Sequence, residues 1–221
     1  MSIRALIFDF DGTIVDTETP EFESWRLEYA VFGVEMPMEL WVQLIGGNAK
    51  GLFEPYAWLE GKIGKALDRD TLRTRRRAVM MDLIAAERPR PGVEDWLGRA
   101  GTRGLGLAIA STSRRPWVEQ HLSHVGLLDR FEHLATGDQV EHAKPAPDLY
   151  LLAAQKLGIA PHEAIAIEDS RNGVASAKAA GMFTIAVPNA MTAGLDLSAA
   201  DLRADSLAAL DLDEAIRLAG G

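Results

Sequence analysis

The stretch IRALIFDFDGT, residues 3–13, decides the fold that the sequence predicts. Its apolar run from Ala5 to Phe8 is uninterrupted, which is typical of a strand buried on both faces of a parallel sheet. Two aspartates, Asp9 and Asp11, follow this run. Because they are two positions apart, their side chains face the same side of an extended backbone. We therefore predict a buried first strand over residues 3–10 that ends in a pair of carboxylates.

The rest of the chain divides into a helical segment and a segment in which strands alternate with helices. Residues 17–88 carry apolar residues at helical spacing without a clear strand pattern, and Thr19 is predicted to cap a helix that begins at Pro20. The run Arg88-Pro89-Arg90-Pro91-Gly92 then breaks the chain. Further strands are predicted over residues 105–110, 133–136, 164–167 and 183–187.

This alternation predicts an α/β fold with a Rossmann-like, doubly wound parallel sheet. Residues 1–16 and 89–221 are expected to form the α/β core. Residues 17–88 are expected to form an α-helical cap domain inserted between the first strand and the second.

Composition narrows the possible classes of function. The chain has 221 residues, of which 48% are hydrophobic and 25% charged, as in a packed globule. Its net charge of −9 argues against a general nucleic-acid binder. The absence of cysteine excludes disulfides, thiolate metal sites and a cysteine nucleophile. No signal-peptide pattern is visible and no apolar stretch approaches the ~18 residues of a membrane span. We expect a cytoplasmic enzyme without a membrane or nucleic-acid partner.

Polar residues cluster where three of the predicted strands end, and parallel sheets bind ligands beyond that edge. The clusters are Asp9 with Asp11, Ser111-Thr112-Ser113, and Glu168-Asp169. One carboxylate can act as the nucleophile in phosphoryl transfer, and a second can protonate the leaving oxygen and then deprotonate water. An alternative interpretation is that Asp11 only begins a local turn.

The remaining polar residues suggest a metal ion and a phosphate group. Asp9, Asp11 and Asp169 could share one Mg²⁺, which prefers hard oxygen ligands. The Ser111 region offers a hydroxyl and backbone N–H groups near a helix start, and Lys144 would add a positive charge. The alternatives are helix capping by Asp169 or Ser170 and a solvated turn lysine at position 144.

These motifs resemble the haloacid dehalogenase superfamily in their order and setting. The chain is similar to its phosphatase and phosphomutase branch with a small helical cap, which includes beta-phosphoglucomutase and phosphoglycolate phosphatase. The matching residues are Asp9-Phe10-Asp11-Gly12-Thr13, Ser111, Lys144-Pro145 and Glu168-Asp169.

The resemblance implies a role for each matching position. Asp9 would be the nucleophile and a metal ligand, and Asp11 the acid/base with its backbone carbonyl on the metal. Asp169 would bind Mg²⁺, with Glu168 in or just outside the coordination shell. Ser111 and Lys144 would hold phosphate together with the Thr112 backbone. The expected substrate is a small phosphorylated metabolite, and the expected state is a monomer or weak homodimer.

Departures from the family pattern favour a phosphatase over a phosphomutase. Glu21 stands where the sugar-phosphate mutases carry a histidine, and residues 44–49 contain neither their lysine nor their arginine. Glu21, Gly47 and Asn48 are candidate specificity residues. A run of arginines within residues 69–77 could attract a phosphorylated substrate or form a solvated helix face. A dehalogenase would lack the aspartate pair, and a protein that binds without turnover is a further alternative.

Overall fold

The computed structural model describes residues 2–45 and 53–220 of the chain. The strands of this part are β1 (Ala5–Phe8), β2 (Gly106–Ser111), β3 (His133–Thr136), β4 (Ala164–Glu168), β5 (Phe183–Ala186) and β6 (Leu202–Arg203). Its helices are α1 (Glu18–Ala30), α2 (Met38–Trp41), α3 (Pro55–Ile63), α4 (Arg69–Ala86), α5 (Val93–Thr102), α6 (Arg115–His124), α7 (Asp148–Leu157), α8 (Arg171–Ala179) and α9 (Leu212–Gly220).

The strands form one parallel sheet in the order β3-β2-β1-β4-β5-β6. The central strand β1 pairs with β2 and β4, so that Leu6 lies beside Leu107 on one side and Ile165 on the other. This topology confirms the predicted doubly wound α/β fold. From β1 the chain adds β2 and β3 on one side of the sheet and then β4, β5 and β6 on the other. Sheets of this kind bind ligands at the point where the direction changes, which here is beside β1.

Helices cover both faces of the sheet. Leu6 and Phe8 pack on one face in a cluster that includes residues of α5, α6 and α9. Ala5 and Ile7 pack on the other face with residues of α7 and α8. Because successive strand residues point to opposite faces, β1 is apolar at every position.

Helices α1 to α4 share an aromatic-rich cluster of their own. Its largest buried members are Phe22, Trp25, Tyr29, Trp41 and Tyr56. The chain enters and leaves this helical segment side by side, because Val15 and Pro89 form an antiparallel bridge. The limits 17–88 for a cap domain remain our proposal.

Some details differ from the predictions, and the first strand covers Ala5–Phe8 instead of residues 3–10. Helix α1 begins at Glu18 instead of Pro20, because the side chain of Asp16 accepts hydrogen bonds from Thr19 N at 2.9 Å and Thr19 Oγ1 at 2.7 Å. Strand β6 was not predicted, since its two residues are too few to show a periodicity.

No helix within residues 2–45 and 53–220 has the length and apolar composition needed to cross a membrane.

Candidate active site

Four charged side chains meet at the carboxyl edge of the sheet. Asp9 follows β1, Glu168 ends β4, Asp169 comes next, and Lys144 lies in the loop before α7. Lys144 Nζ donates to Asp9 Oδ1 and to Glu168 Oε1, both at 2.5 Å. Each of these residues is buried, with Asp9 the most exposed at 6%. The structure therefore brings together Asp9, Lys144, Glu168 and Asp169, which lie far apart in the sequence.

Three carboxyl groups share one ammonium group within this cluster. Burial raises the pKa of Asp9 from 3.8 to about 8, although the nearby Lys144 opposes the shift. Burial, followed by the charges of Asp9 and Glu168, raises the pKa of Asp169 well above its ordinary value. Burial lowers the pKa of Lys144, but Asp9 and Glu168 outweigh it and hold the ammonium in its charged form. Lys144 balances only part of the charge of the carboxylates, so the cluster is suited to a further cation.

Hydrogen bonds fix the orientation of the Glu168 carboxyl. Tyr150 donates its hydroxyl to Glu168 Oε1 at 2.9 Å, and the backbone N–H and hydroxyl of Ser170 donate to Oε2 at 3.2 and 3.1 Å. Ser170 Oγ also accepts from Gly173 N at 3.1 Å and so caps α8. The helix cap considered as an alternative is thus present in addition to the carboxylate cluster.

A glycine lets Asp169 sit close to the loop after β1. Gly12 has a φ of +79°, and a Cβ there would lie 2.5 Å from Asp169 Oδ2 and 2.6 Å from Asn189 Nδ2. Asn189 donates to Asp169 Oδ2 at 2.7 Å, and Thr13 Oγ1 donates to Oδ1 at 3.3 Å. A side chain at position 12 would therefore displace Asp169 from these donors.

The carboxylates fit a hard cation. One oxygen from each of Asp9, Glu168 and Asp169 lies within 4.8 Å of the other two. Within the described part of the chain this is the only such group of metal-ligating side chains. Oxygen donors suit Mg²⁺, which retains waters and binds substrate phosphate. The carboxyl of Asp11 lies outside this group, so its predicted role as a ligand rests on its backbone carbonyl and stays a prediction.

The Asp11 carboxyl faces donors on the other side of the site. Oδ1 accepts from Thr17 Oγ1 at 2.9 Å and from Trp117 Nε1 at 2.8 Å. Oδ2 accepts from Ser111 Oγ at 3.2 Å and from Ser113 Oγ at 2.6 Å. Ser111 is fully buried, and its Oγ also accepts from Ser113 N at 3.0 Å. Its hydroxyl is thus engaged with Asp11 and Ser113, while Thr112 and Ser113 line the cavity described next.

A cavity of about 530 Å³ lies over the carboxyl edge of the sheet, between the core residues and helices α1 and α4. Asp9, Asp11, Lys144 and Asp169 line its core side. The candidate specificity residue Glu21 lines the opposite side, whereas the other two, Gly47 and Asn48, lie outside the described residues. The cavity is large enough for a small phosphorylated metabolite.

Arginines also line the helical side of this cavity. Arg76 lies 4.3 Å above the ring of Trp25, and its Nη1 is 3.8 Å from Glu21 Oε1. Its side chain is only 12% exposed, and Arg77 lines the same cavity. Residues 44–49 lack the lysine and arginine of the mutases, but Arg76 and Arg77 on α4 bring cationic groups to this end of the cavity. Residues 69–77 are not simply a solvated face, because one turn of α4 points at the cavity.

Some residues of the site were not predicted to belong to it. Trp117 contacts Asp11, Tyr150 contacts Glu168, and Asn189 contacts Asp169. Thr17, which also contacts Asp11, lies close to the first matching motif, so its position was a usable signal. Trp117 and Tyr150 lie on helices and Asn189 in a loop, with no local pattern that distinguishes them from packing residues.

We predict that Gly173→Ala perturbs the site through Glu168. Gly173 is buried in α8, and a Cβ at this position would overlap the Glu168 carboxyl. The variant should lose about 1–3 kcal/mol of unfolding free energy, as overpacked cores do, together with much of its activity. Gly98→Ala in α5 is the matched control, because no atom lies within 4 Å of the added Cβ. Chemical denaturation of both variants checks this, and equal stabilities would contradict it.

Comparisons with known proteins agree with this geometry. The model of the haloacid dehalogenase-like hydrolase family matches residues 3–181. YhcW of Bacillus subtilis is 45% identical over 210 residues, which cover 95% of this chain and 94% of YhcW. The fructose-1-phosphate phosphatase YqaB of Escherichia coli is 33% identical over 82% of this chain and 95% of its own. The crystal structure of CbbY from Rhodobacter sphaeroides in complex with phosphate is 31% identical, with a TM-score of 0.74, and covers 93% of this chain and 95% of CbbY.

Proposed function

The chain belongs to the family of haloacid dehalogenase-like hydrolases and is a phosphoric monoester hydrolase, and we propose that it hydrolyses small phosphorylated sugars through an aspartyl-phosphate on Asp9 with Mg²⁺ as cofactor. One observation carries this proposal. Asp9, Lys144, Glu168 and Asp169 form a buried charged cluster that opens on a cavity of about 530 Å³.

In the first step, an oxygen of Asp9 attacks phosphorus and the bond from phosphorus to the sugar oxygen breaks. Asp11 gives its proton to that leaving oxygen, so the sugar departs as an alcohol. In the second step, water attacks the same phosphorus while Asp11 takes a proton from it. The bond to Asp9 breaks, inorganic phosphate is released, and both aspartates return to their initial states.

Lys144 supports this chemistry by its charge. Its ammonium contacts Asp9 at 2.5 Å, beside the place where the phosphoryl oxygens must come. There it would stabilise the negative charge of the transferring group, and the backbone at Thr112 would offer N–H donors nearby. Ser111 supports the site indirectly, because its hydroxyl bonds to Asp11 and Ser113.

Asp9, Glu168 and Asp169 are the residues that would hold the metal ion. When bound, Mg²⁺ would offset the repulsion between Asp9 and an anionic phosphate and would neutralise charge on the phosphoryl oxygens. The Glu168 carboxyl is held by Tyr150 and Ser170, and Asp169 by Asn189, so the ligands are oriented in advance.

The helical side of the cavity would select the substrate. Glu18 and Glu21 offer acceptors for sugar hydroxyls, and Arg76 and Arg77 offer donors for a further anionic or polar group. Burial raises the pKa of Glu18 well above its ordinary value, and the charge of Glu21 adds to the shift, which suits a neutral hydrogen-bonding group. Relatives that are named for phosphorylated sugars, such as the fructose-1-phosphate phosphatase YqaB, support this substrate class.

A phosphomutase of the beta-phosphoglucomutase type is the second candidate. Arg76 and Arg77 favour it, because a mutase must hold a second phosphate at the helical end of the cavity. Glu21 opposes it, since its carboxyl lies 3.8 Å from Arg76 and would compete with a distal phosphate for that arginine. We retain water as the final acceptor.

We predict phosphate release from simple sugar monophosphates and no isomerisation of β-glucose 1-phosphate. The first measurement is inorganic phosphate released from a panel of sugar phosphates with Mg²⁺. The second is glucose 6-phosphate formed from β-glucose 1-phosphate with catalytic glucose 1,6-bisphosphate. Efficient conversion of β-glucose 1-phosphate to glucose 6-phosphate without phosphate release would contradict the proposed phosphatase and support the phosphomutase.

Three further features belong to the same proposal. We place the cap domain at residues 17–88 and the catalytic core at residues 1–16 and 89–221. The enzyme is proposed to act in the cytoplasm. Its proposed state is a monomer or weak homodimer.

A further inference from the structure

The Asp11 carboxyl is surrounded by four hydrogen-bond donors of two kinds. Three are hydroxyls, from Thr17, Ser111 and Ser113. The fourth is the indole N–H of Trp117, which donates to Oδ1 at 2.8 Å. A hydroxyl can rotate and become an acceptor, whereas an indole N–H can only donate.

This difference separates the two oxygens of Asp11. A proton on Oδ1 could turn toward Thr17, but it would make Oδ1 a hydroxyl oxygen, which is a weaker acceptor for the indole N–H than a carbonyl oxygen. A proton on Oδ2 meets only the hydroxyls of Ser111 and Ser113, which can turn to accept it. The indole N–H therefore favours Oδ1 as the accepting oxygen in both forms of the carboxyl.

We propose that Trp117 is a positioning residue that orients the Asp11 carboxyl, so that Oδ2 is the oxygen that exchanges a proton with the leaving group and with water. This inference rests on the acid/base role proposed above for Asp11. In the step concerned, the bond from Oδ2 to hydrogen breaks and a bond from hydrogen to the leaving oxygen forms. The electrons left on Oδ2 make it the carboxylate that later accepts a proton from water.

The surroundings of Trp117 suit this role. The residue lies in the first turn of α6, which starts four residues after the end of β2 at Ser111. Its ring meets the His121 ring edge-on, with centroids 4.1 Å apart at 64°. It also packs, partly buried, against the main apolar cluster of the sheet and lines the cavity. The indole is thus held on a rigid element and not on a mobile loop.

The test compares two substrates whose leaving groups differ in their need for a proton. A sugar alkoxide must be protonated as it leaves, whereas p-nitrophenolate leaves readily without a proton. Trp117→Phe removes the N–H and keeps an aromatic ring. We expect kcat/KM for fructose 1-phosphate, or the best sugar phosphate of the panel, to fall about tenfold. The value for p-nitrophenyl phosphate should change much less, since kcat/KM reports only steps up to release of the leaving group.

Two other variants separate positioning from packing. Trp58→Phe alters a partly buried indole that packs in the helical cluster and does not line the cavity, so the ratio of the two kcat/KM values should not change. Trp117→His retains a ring N–H at a position equivalent to the indole nitrogen, and should recover part of the lost ratio. Thermal unfolding of each variant shows whether it is folded.

The outcomes also distinguish this inference from the proposed function. Equal losses for both substrates in folded Trp117→Phe, or no loss, would overturn the positioning role while leaving the phosphatase intact. If Trp117→Phe does not fold, the ratio measured with Trp117→His decides, and a ratio equal to that of wild type supports the role of the N–H. A wild-type protein that releases no phosphate from either substrate would overturn the proposed function itself.

Discussion

Replacing Asp9 with asparagine is expected to lower phosphatase activity by about 10⁴-fold or more while the protein remains folded. The variant keeps the size of the side chain but removes the anionic oxygen that would attack phosphorus. Folding should survive, because burial already raises the pKa of Asp9 to about 8 and so disfavours its charge in the metal-free protein. Steady-state phosphate release and thermal unfolding measure the two effects.

Asp82→Asn makes the same chemical change at an exposed position on α4. It should behave like the wild-type protein in both measurements. Near-normal turnover by Asp9→Asn would exclude Asp9 as the nucleophile. Loss of folding by this variant would instead contradict our inference that the metal-free fold does not depend on the charge of Asp9.

Removal of divalent cations should have the second-largest effect. EDTA is expected to abolish turnover and Mg²⁺ to restore it, because Lys144 can balance only one of the three carboxylates, and a bound cation would favour the ionised form of Asp9 that attacks phosphorus. The ion should also stabilise the folded protein, since the three oxygens come together only on folding. At one hundred times its Kd, a ligand of the folded state adds about 2.7 kcal/mol of unfolding free energy.

Asp169→Asn tests the proposed ligand directly. This variant should need far more Mg²⁺ for the same activity, and its unfolding temperature should respond less to the ion. Unfolding temperature is a readout that does not depend on turnover. Full activity of the wild-type protein in EDTA would point to a metal-free mechanism, and an unchanged response to Mg²⁺ in Asp169→Asn would remove Asp169 from the ligand set.

The fold was predictable because the apolar pattern of β1 admits few alternatives. Ala5 to Phe8 are apolar at every position, and only a sheet covered on both faces buries them all. The ends of the elements were less predictable, since the side chain of Asp16 decides where α1 begins. Strand β6 follows from pairing with β5 and leaves no pattern in the sequence.

The candidate site was predictable where residues follow strands and unpredictable where they project from helices. Asp9 and Glu168 follow from strand ends, because parallel strands bring their carboxyl ends to one edge. The direction in which Trp117 and Arg76 point depends on how α6 and α4 pack, and periodicity cannot show this. The contact of the Ser111 hydroxyl with phosphate stays a prediction, whereas its hydrogen bond to Asp11 Oδ2 at 3.2 Å could not be read from the sequence.

The most direct test of the central claim is to look for the covalent intermediate. The protein is mixed with substrate and Mg²⁺, quenched in acid within the first turnovers, digested, and analysed by mass spectrometry. We expect the peptide that contains Asp9 to gain the mass of one phosphoryl group, borohydride to convert that residue to homoserine, and Asp9→Asn to show neither change. Full turnover with no phosphoryl group on Asp9, or with the group on another residue, would contradict the account.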